Sequence, residues 1–162
     1  MRSKLSFFDQ SGRHLESVAA NAQQNSLRHI AETTDGGVAV GYQWQGDPYD
    51  APPLIGVVRG STMISFEDTT ASYGLEAYVG SVAAHPKGIA VTSPRGGKLV
   101  LFSSDGVPLL VEFSTDICGL TVSDGDVIAT DGFGRVFRLR DSVIRLEMHS
   151  LLFDNHLISV AV

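Results

Sequence analysis

Four stretches of this chain repeat one another. RHIAETTDGGVAVGY begins at Arg28, GSVAAHPKGIAVTS at Gly80, CGLTVSDGDVIATD at Cys118 and NHLISVAV at Asn155. Each starts with a small or polar pair and continues as an apolar run. The first three pass through a glycine turn into a second run that carries an alanine: Ala39, Ala90 and Ala129. The anchor positions Ile30, Val82, Leu120 and Leu157 lie 52, 38 and 37 residues apart. A second element also recurs four times. KLSFF at Lys4, LIGVV at Leu54, KLVLF at Lys98 and RVFRL at Arg135 are followed by turns containing QSG, RGS, SDG and RDS. The return runs are HLESV, MISFED, LLVEF and VIRLEM, and each holds a glutamate: Glu16, Glu67, Glu112 and Glu147. Self-similarity at such a period constrains the fold more than any single motif, because each repeat must be one supersecondary unit.

The runs are short and are separated by Gly, Asp, Ser and Pro, which is the pattern of an all-β chain. The 17 glycines fit tight turns that need positive φ. Alternation of polar and apolar residues on the hairpin strands implies one packed face and one partly wet face. Joined, the two elements make four antiparallel strands in roughly 40–50 residues, the size of a β-propeller blade. The reading is a single domain over residues 1–162, with blade repeats near 4–20, 27–68, 79–114, 117–149 and 155–162. That is about three blades plus parts of a further one, a partial or small propeller. Gly41–Pro53 reads as a Pro-rich insertion, and Thr69–Tyr78 as one helical turn. So few blades do not close easily, and open blades leave strand edges bare. Three arrangements resolve this. The N-terminal outer strands pair with the C-terminal inner strand in a small four-bladed ring, two chains associate as a homodimer, or an N-terminal half is missing from a longer protein. The last is favoured.

Composition removes several function classes. With 12 Lys+Arg against 18 Asp+Glu and a net charge of −6, a basic nucleic-acid surface is disfavoured. No apolar stretch approaches the roughly 18 residues of a spanning helix, so no membrane span is expected. The lone Cys118 excludes a disulfide within one chain. LSFFDQSG after Met1–Lys4 is too short for a signal core, so as it stands the chain reads as cytoplasmic.

Propellers present ligands at the channel mouth, on loops around the inner strands. Arg28 and His29 precede one inner strand, and Asn155 and His156 precede another in the same register. Ser81 and Cys118–Gly119 occupy the equivalent points between them. Such a ring could converge on one axial ligand; polar residues there also cap turns. His29 and His156 with Cys118 or Asp116 would suit a metal by ligand type, without short-range spacing to support it. SPRGG presents Arg95 in a flexible turn, suited to bidentate capture of a carboxylate or phosphate; it reads equally as a hairpin turn with a solvated arginine or one bonding carbonyls of the neighbouring blade. GFGR presents Arg135 at the equivalent turn of the next blade. Tyr42, Gln43 and Trp44, with Tyr49 and Gln45, could line a binding surface or form a lid over the blade edge. No G-x-S-x-G elbow and no phosphate-binding glycine loop is present.

The strings SLRHIA, GYQWQGDPYDAPPL, YVGSVA, TSPRGG, DICGL and FDNHL, in that order from about Asn25 to Leu157, resemble the C-terminal half of a bacterial propeller family, domain-of-unknown-function family 1513. The resemblance implies a β-propeller about twice this length, exported to the periplasm by a twin-arginine signal. It also implies genes beside imelysin-like and dihaem peroxidase-like proteins in clusters linked to iron acquisition. It implies no activity, and the residues assign no cofactor. The resulting expectation is a non-enzymatic binding or scaffold propeller, with a protein partner or small ligand at its mouth. The alternatives are an enzyme using Arg28, His29, Arg95 and His156 at that mouth, or a cytoplasmic interaction module.

Overall fold

A computed structural model describes residues 2–67 and 74–160. An N-terminal hairpin pairs β1 (Lys4–Phe8) with β2 (His14–Ala19). Three four-stranded antiparallel sheets follow, each in simple meander order. The first contains β3 (Asn25–Glu32), β4 (Val38–Trp44), β5 (Ile55–Arg59) and β6 (Thr62–Ser65). The second contains β7 (Ser81–His85), β8 (Gly88–Ser93), β9 (Lys98–Phe102) and β10 (Pro108–Phe113). The third contains β11 (Ile117–Ser123), β12 (Asp126–Asp131), β13 (Arg135–Leu139) and β14 (Val143–Met148). β3, β7 and β11 are the first strands of their blades, and β7 touches both of the others. The all-β reading, its four-stranded blades and its three complete sheets are therefore the observed architecture.

Burial is heaviest on the middle strands and falls toward the outer edge of each blade, while the first strand β3 is itself half exposed. β5 and β9 are buried on nearly every residue, whereas the outermost β10 and β14 are largely exposed. The half-wet face expected of the hairpin strands is present on their outer members and on the inner members KLSFF and RVFRL. The inner members LIGVV and KLVLF are sandwiched between neighbouring blades, so they read as continuous apolar runs. Two cores follow from this stacking. Val40, Val57, Val82, Val91 and Phe102 fill the space between the first two blades, and Val18, Leu5 and Phe7 of the hairpin join them. Ala83, Leu99, Leu101, Val127 and Leu139 fill the space between the second and third. Ala39, Ala90 and Ala129 are fully buried. They lie opposite Ala31, Ala83 and Leu120 on the first strands, where crowding near the axis favours small side chains.

Three local readings change. No ladder joins β1 or β2 to residues 155–160 among the described residues, so the small ring closed by pairing the two ends is not formed. Residues 155–160 form no strand; one parallel bridge between Leu120 and His156 marks where that segment runs beside β11. Gly41–Pro53 is not wholly an insertion, because β4 continues to Trp44 before a single 3-10 turn at Pro48–Asp50. Of the helical turn expected over Thr69–Tyr78, the first part lies outside the described residues. Gly74–Ala77 forms a turn closed by Tyr78 N donating to Leu75 O, with Glu76 and Ala77 at positive φ.

Candidate functional site

The first strands of two blades break their register at matching places. β3 slips between Leu27 and His29, and β11 slips between Ile117 and Leu120. A bulge puts an extra residue into one strand and re-aims its side chains. Here the extra residue on β3 is Arg28, and on β11 Cys118 and Gly119 together oppose the single residue Thr130. β7 keeps its register and opens with Ser81. The C-terminal segment crosses this end of the blades. Cys118 Sγ lies 3.7 Å from Phe153 O, and Asn155 Nδ2 donates to the Tyr78 hydroxyl at 3.2 Å. Gly119 makes that crossing possible. A Cβ there would sit 2.7 Å from Thr130 Oγ1, 3.0 Å from Asp154 O and 3.2 Å from Leu157 Cβ.

The result is an open cavity of about 270 Å³, lined by Arg28, His29, Ser81, Asn155 and His156 with the anchors Ile30, Val82, Leu120 and Leu157. The His29 and His156 ring centroids are 5.6 Å apart. Burial, then His156 and Arg28 beside it, lower the His29 imidazole below its usual value. Ser81 is 7% exposed, and its Oγ accepts from Leu120 N at 3.2 Å, which leaves its O–H free to turn toward the cavity. Among the described residues no carboxylate lines the cavity, and none lies within ion-pair distance of Arg28.

Five of the nine residues singled out from the sequence thus meet in one place. The other four do not line it. Tyr42 is a core residue with no exposure; its hydroxyl reaches only Met63 Sδ at 3.5 Å, and burial pushes its phenol up to about 12. The ring is enclosed in the first core, so it packs there and does not line the cavity. Gln43 Nε2 donates to Val79 O, and Trp44 Nε1 donates to Asp47 O at 2.7 Å, so both hold the following loop against its neighbours. Arg95 is exposed and lies over the Tyr78 ring, 4.5 Å from its centroid. It is one ring removed from Asn155. Arg135 is committed to Asp131 and to Thr115 O. Cys118 is buried, and its Sγ contacts Thr130 O as well as Phe153 O; burial pushes its thiol up to about 11. No group of three or more His, Cys, Asp and Glu side chains gathers around one point among the described residues, so the set of His29 and His156 with Cys118 or Asp116, suited to a metal by ligand type, is not assembled there.

Tyr78 and the four anchors are site residues that were not singled out as such. The anchors were visible as the repeat register itself; nothing in sequence marks Tyr78. A second cavity of about 190 Å³ lies at the opposite turns, beside Asp35, Arg59 and Lys87. Its cations are already paired, Arg59 with Asp35 at 2.9 Å and Lys87 with Asp141 at 2.7 Å.

Solved structures share this architecture. A streptogramin B lyase matches with a TM-score of 0.71 at 11% identity, over 90% of this chain and 48% of the lyase. A protein of unknown function from Bacteroides caccae matches with a TM-score of 0.62 at 16% identity, over 89% of this chain and 53% of that one. A catalytically inactive virginiamycin B lyase from Staphylococcus aureus with quinupristin gives 0.54 at 15% identity, over 91% of this chain and 45% of the lyase. At these identities the likeness concerns the fold, and the chain spans about half the length of the structures it matches. No curated protein matches the chain. In sequence the match is to a family and covers nearly everything described above: the chain belongs to the family described as protein of unknown function (DUF1513), which it matches over residues 1–160.

Proposed function

We propose that this chain is a binding module of a β-propeller, non-enzymatic, with its recognition point in the axial cavity. The observation that carries this reading is the convergence of Arg28, His29, Ser81, Asn155 and His156 from three separate segments, β3, β7 and the C-terminal stretch. Ser81 and Asn155 each make one hydrogen bond there, but Arg28 has no ion-pair partner among the described residues and His29 is disfavoured as a cation. Concave sites with a few converging polar groups are the usual form of small-molecule sites. The non-enzymatic part rests on what the cavity lacks. It has no carboxylate to orient a histidine, and the nearby thiol is held protonated. By family resemblance the setting is the bacterial periplasm, in a system linked to iron acquisition, and the same face takes a small ligand or a protein partner.

Thermal shift of the purified chain across carboxylates, phosphates, neutral sugars and divalent metals tests the reading. At least one class raises the melting temperature of the native chain and fails to do so in Arg28→Ala/His156→Ala. No shift with any class, or an equal shift in the variant, overturns it.

A second reading is favoured by one observation, the lowered His29. A histidine kept neutral near pH 7 is a competent general base. An enzyme would then use His29 as base and Arg28 as the stabiliser of negative charge. Turnover that disappears in His29→Gln while ligand affinity persists would favour this reading over the first.

A further inference from the structure

We propose that the axial cavity takes the oxyanion group of a small ligand, a carboxylate, phosphate or sulfate, held by Arg28, His29, Ser81 and His156. This rests on the cavity being a binding site, and it names the chemistry of what binds. The donor set is one-sided. The lining supplies a guanidinium, two imidazoles, a hydroxyl and a carboxamide, and no acidic side chain. This is unusual for a chain of net charge −6. Elsewhere in the chain Arg13, Arg59, Arg135 and Arg140 are each committed to an aspartate. Arg28 is not so committed among the described residues. The nine-tenths-buried Ser81 offers a hydroxyl proton that the hydrogen bond from Leu120 N leaves unused. Cationic and hydroxyl donors around a shared gap recognise oxyanions through charge-assisted hydrogen bonds.

The same geometry couples binding to a proton. The charged or titratable groups acting on His29 are Arg28 on its own strand and His156 on the C-terminal segment. β7 and β11 bring Ser81, Val82 and Leu120, which carry no charge. Burial, then His156 and Arg28, disfavour a proton on His29. A bound anion reverses the sign of that local field and draws the proton on. Anion binding and proton binding therefore reinforce each other.

The test titrates the full chain with sulfate and with citrate, at ionic strength held constant with chloride. The readouts are the ring resonances of His29 and His156 and the heat of binding. Sulfate serves for the pH series because it does not itself titrate between pH 5.5 and 8. Saturable shifts of both histidines are expected. Sulfate affinity should tighten as pH falls from 8 toward 6, by up to about tenfold per pH unit for one proton taken up. Arg28→Gln, at an exposed position, should weaken binding about tenfold or more. Arg145→Gln, on the outermost strand β14, should leave it unchanged and controls for net charge. Affinity independent of pH, or an equal affinity in Arg28→Gln, overturns the inference. If a neutral sugar or a divalent cation saturates the histidines and neither anion does, the inference fails while the binding reading stands. If nothing saturates them, both fail.

Discussion

The chain carries the same turn twice in different surroundings, and this permits a matched test of what burial contributes. Asp9 in DQSGR accepts from Ser11 N at 2.9 Å, from Arg13 N at 3.0 Å and from Arg13 Nε at 3.0 Å. Asp131 in DGFGR accepts from Phe133 N at 2.9 Å, from Arg135 N at 3.0 Å and from Arg135 Nε. The Asp9–Arg13 side chains are 28% and 76% exposed, whereas those of Asp131–Arg135 are 0% and 25%. Asp131→Ala strands two backbone N–H groups and leaves a guanidinium three-quarters buried without its counter-ion. Breaking a buried pair from one side costs roughly 3–5 kcal/mol. The lower end, about 3 kcal/mol, applies because Arg135 keeps Thr115 O and some water. For a domain of this size that lowers the melting temperature by about 6–12 °C. Asp9→Ala removes the same bonds where water replaces them, so its cost is a small fraction of that. Urea unfolding of both variants, with unchanged m-values, measures the difference. Adding Arg135→Ala to Asp131→Ala should recover part of the loss, since it removes the stranded charge. Equal costs for the two aspartates would refute the reasoning, because burial would then not set the worth of the turn.

Further outcomes follow from the site. Gly119→Ala places a methyl against Thr130 Oγ1, Asp154 O and Leu157; it should cost about 1–3 kcal/mol, and nuclear Overhauser contacts between the His29 and His156 rings should weaken. Because His29 is lowered in the folded chain, the unfolded chain binds more protons just below the usual histidine value. Stability should therefore rise with pH through the window below 6.5, and His29→Gln should flatten that slope in pH-dependent unfolding. Cys118, buried with its thiol near 11, should react with a thiol reagent at pH 8 only as fast as the chain opens. Rapid labelling of the native chain would contradict the burial.

The repeat in the sequence determined the fold class because each blade is a local object. Its four strands are consecutive, its turns are short, and antiparallel meanders need no distant partner. The anchors Ile30, Val82, Leu120 and Leu157 carried more information than their apolar character suggested. Equal register along successive blades brings equivalent residues to one axis, and all four line the cavity. Arg28, His29, Ser81, Asn155 and His156 were legible for the same reason. Tyr42 was not, because an aromatic in an irregular stretch looks alike whether its strand ends or continues, and only β4 continuing to Trp44 buries it. The continuous burial of LIGVV and KLVLF likewise depends on the next blade, which no single hairpin reveals. Arg95 and Arg135 stand in similar glycine turns, yet one meets the Tyr78 ring and the other Asp131. Sequence alone fixes which residues recur and at what spacing. Tertiary structure decides which of them face the axis and which are consumed by a neighbour, since contacts between blades join segments tens of residues apart.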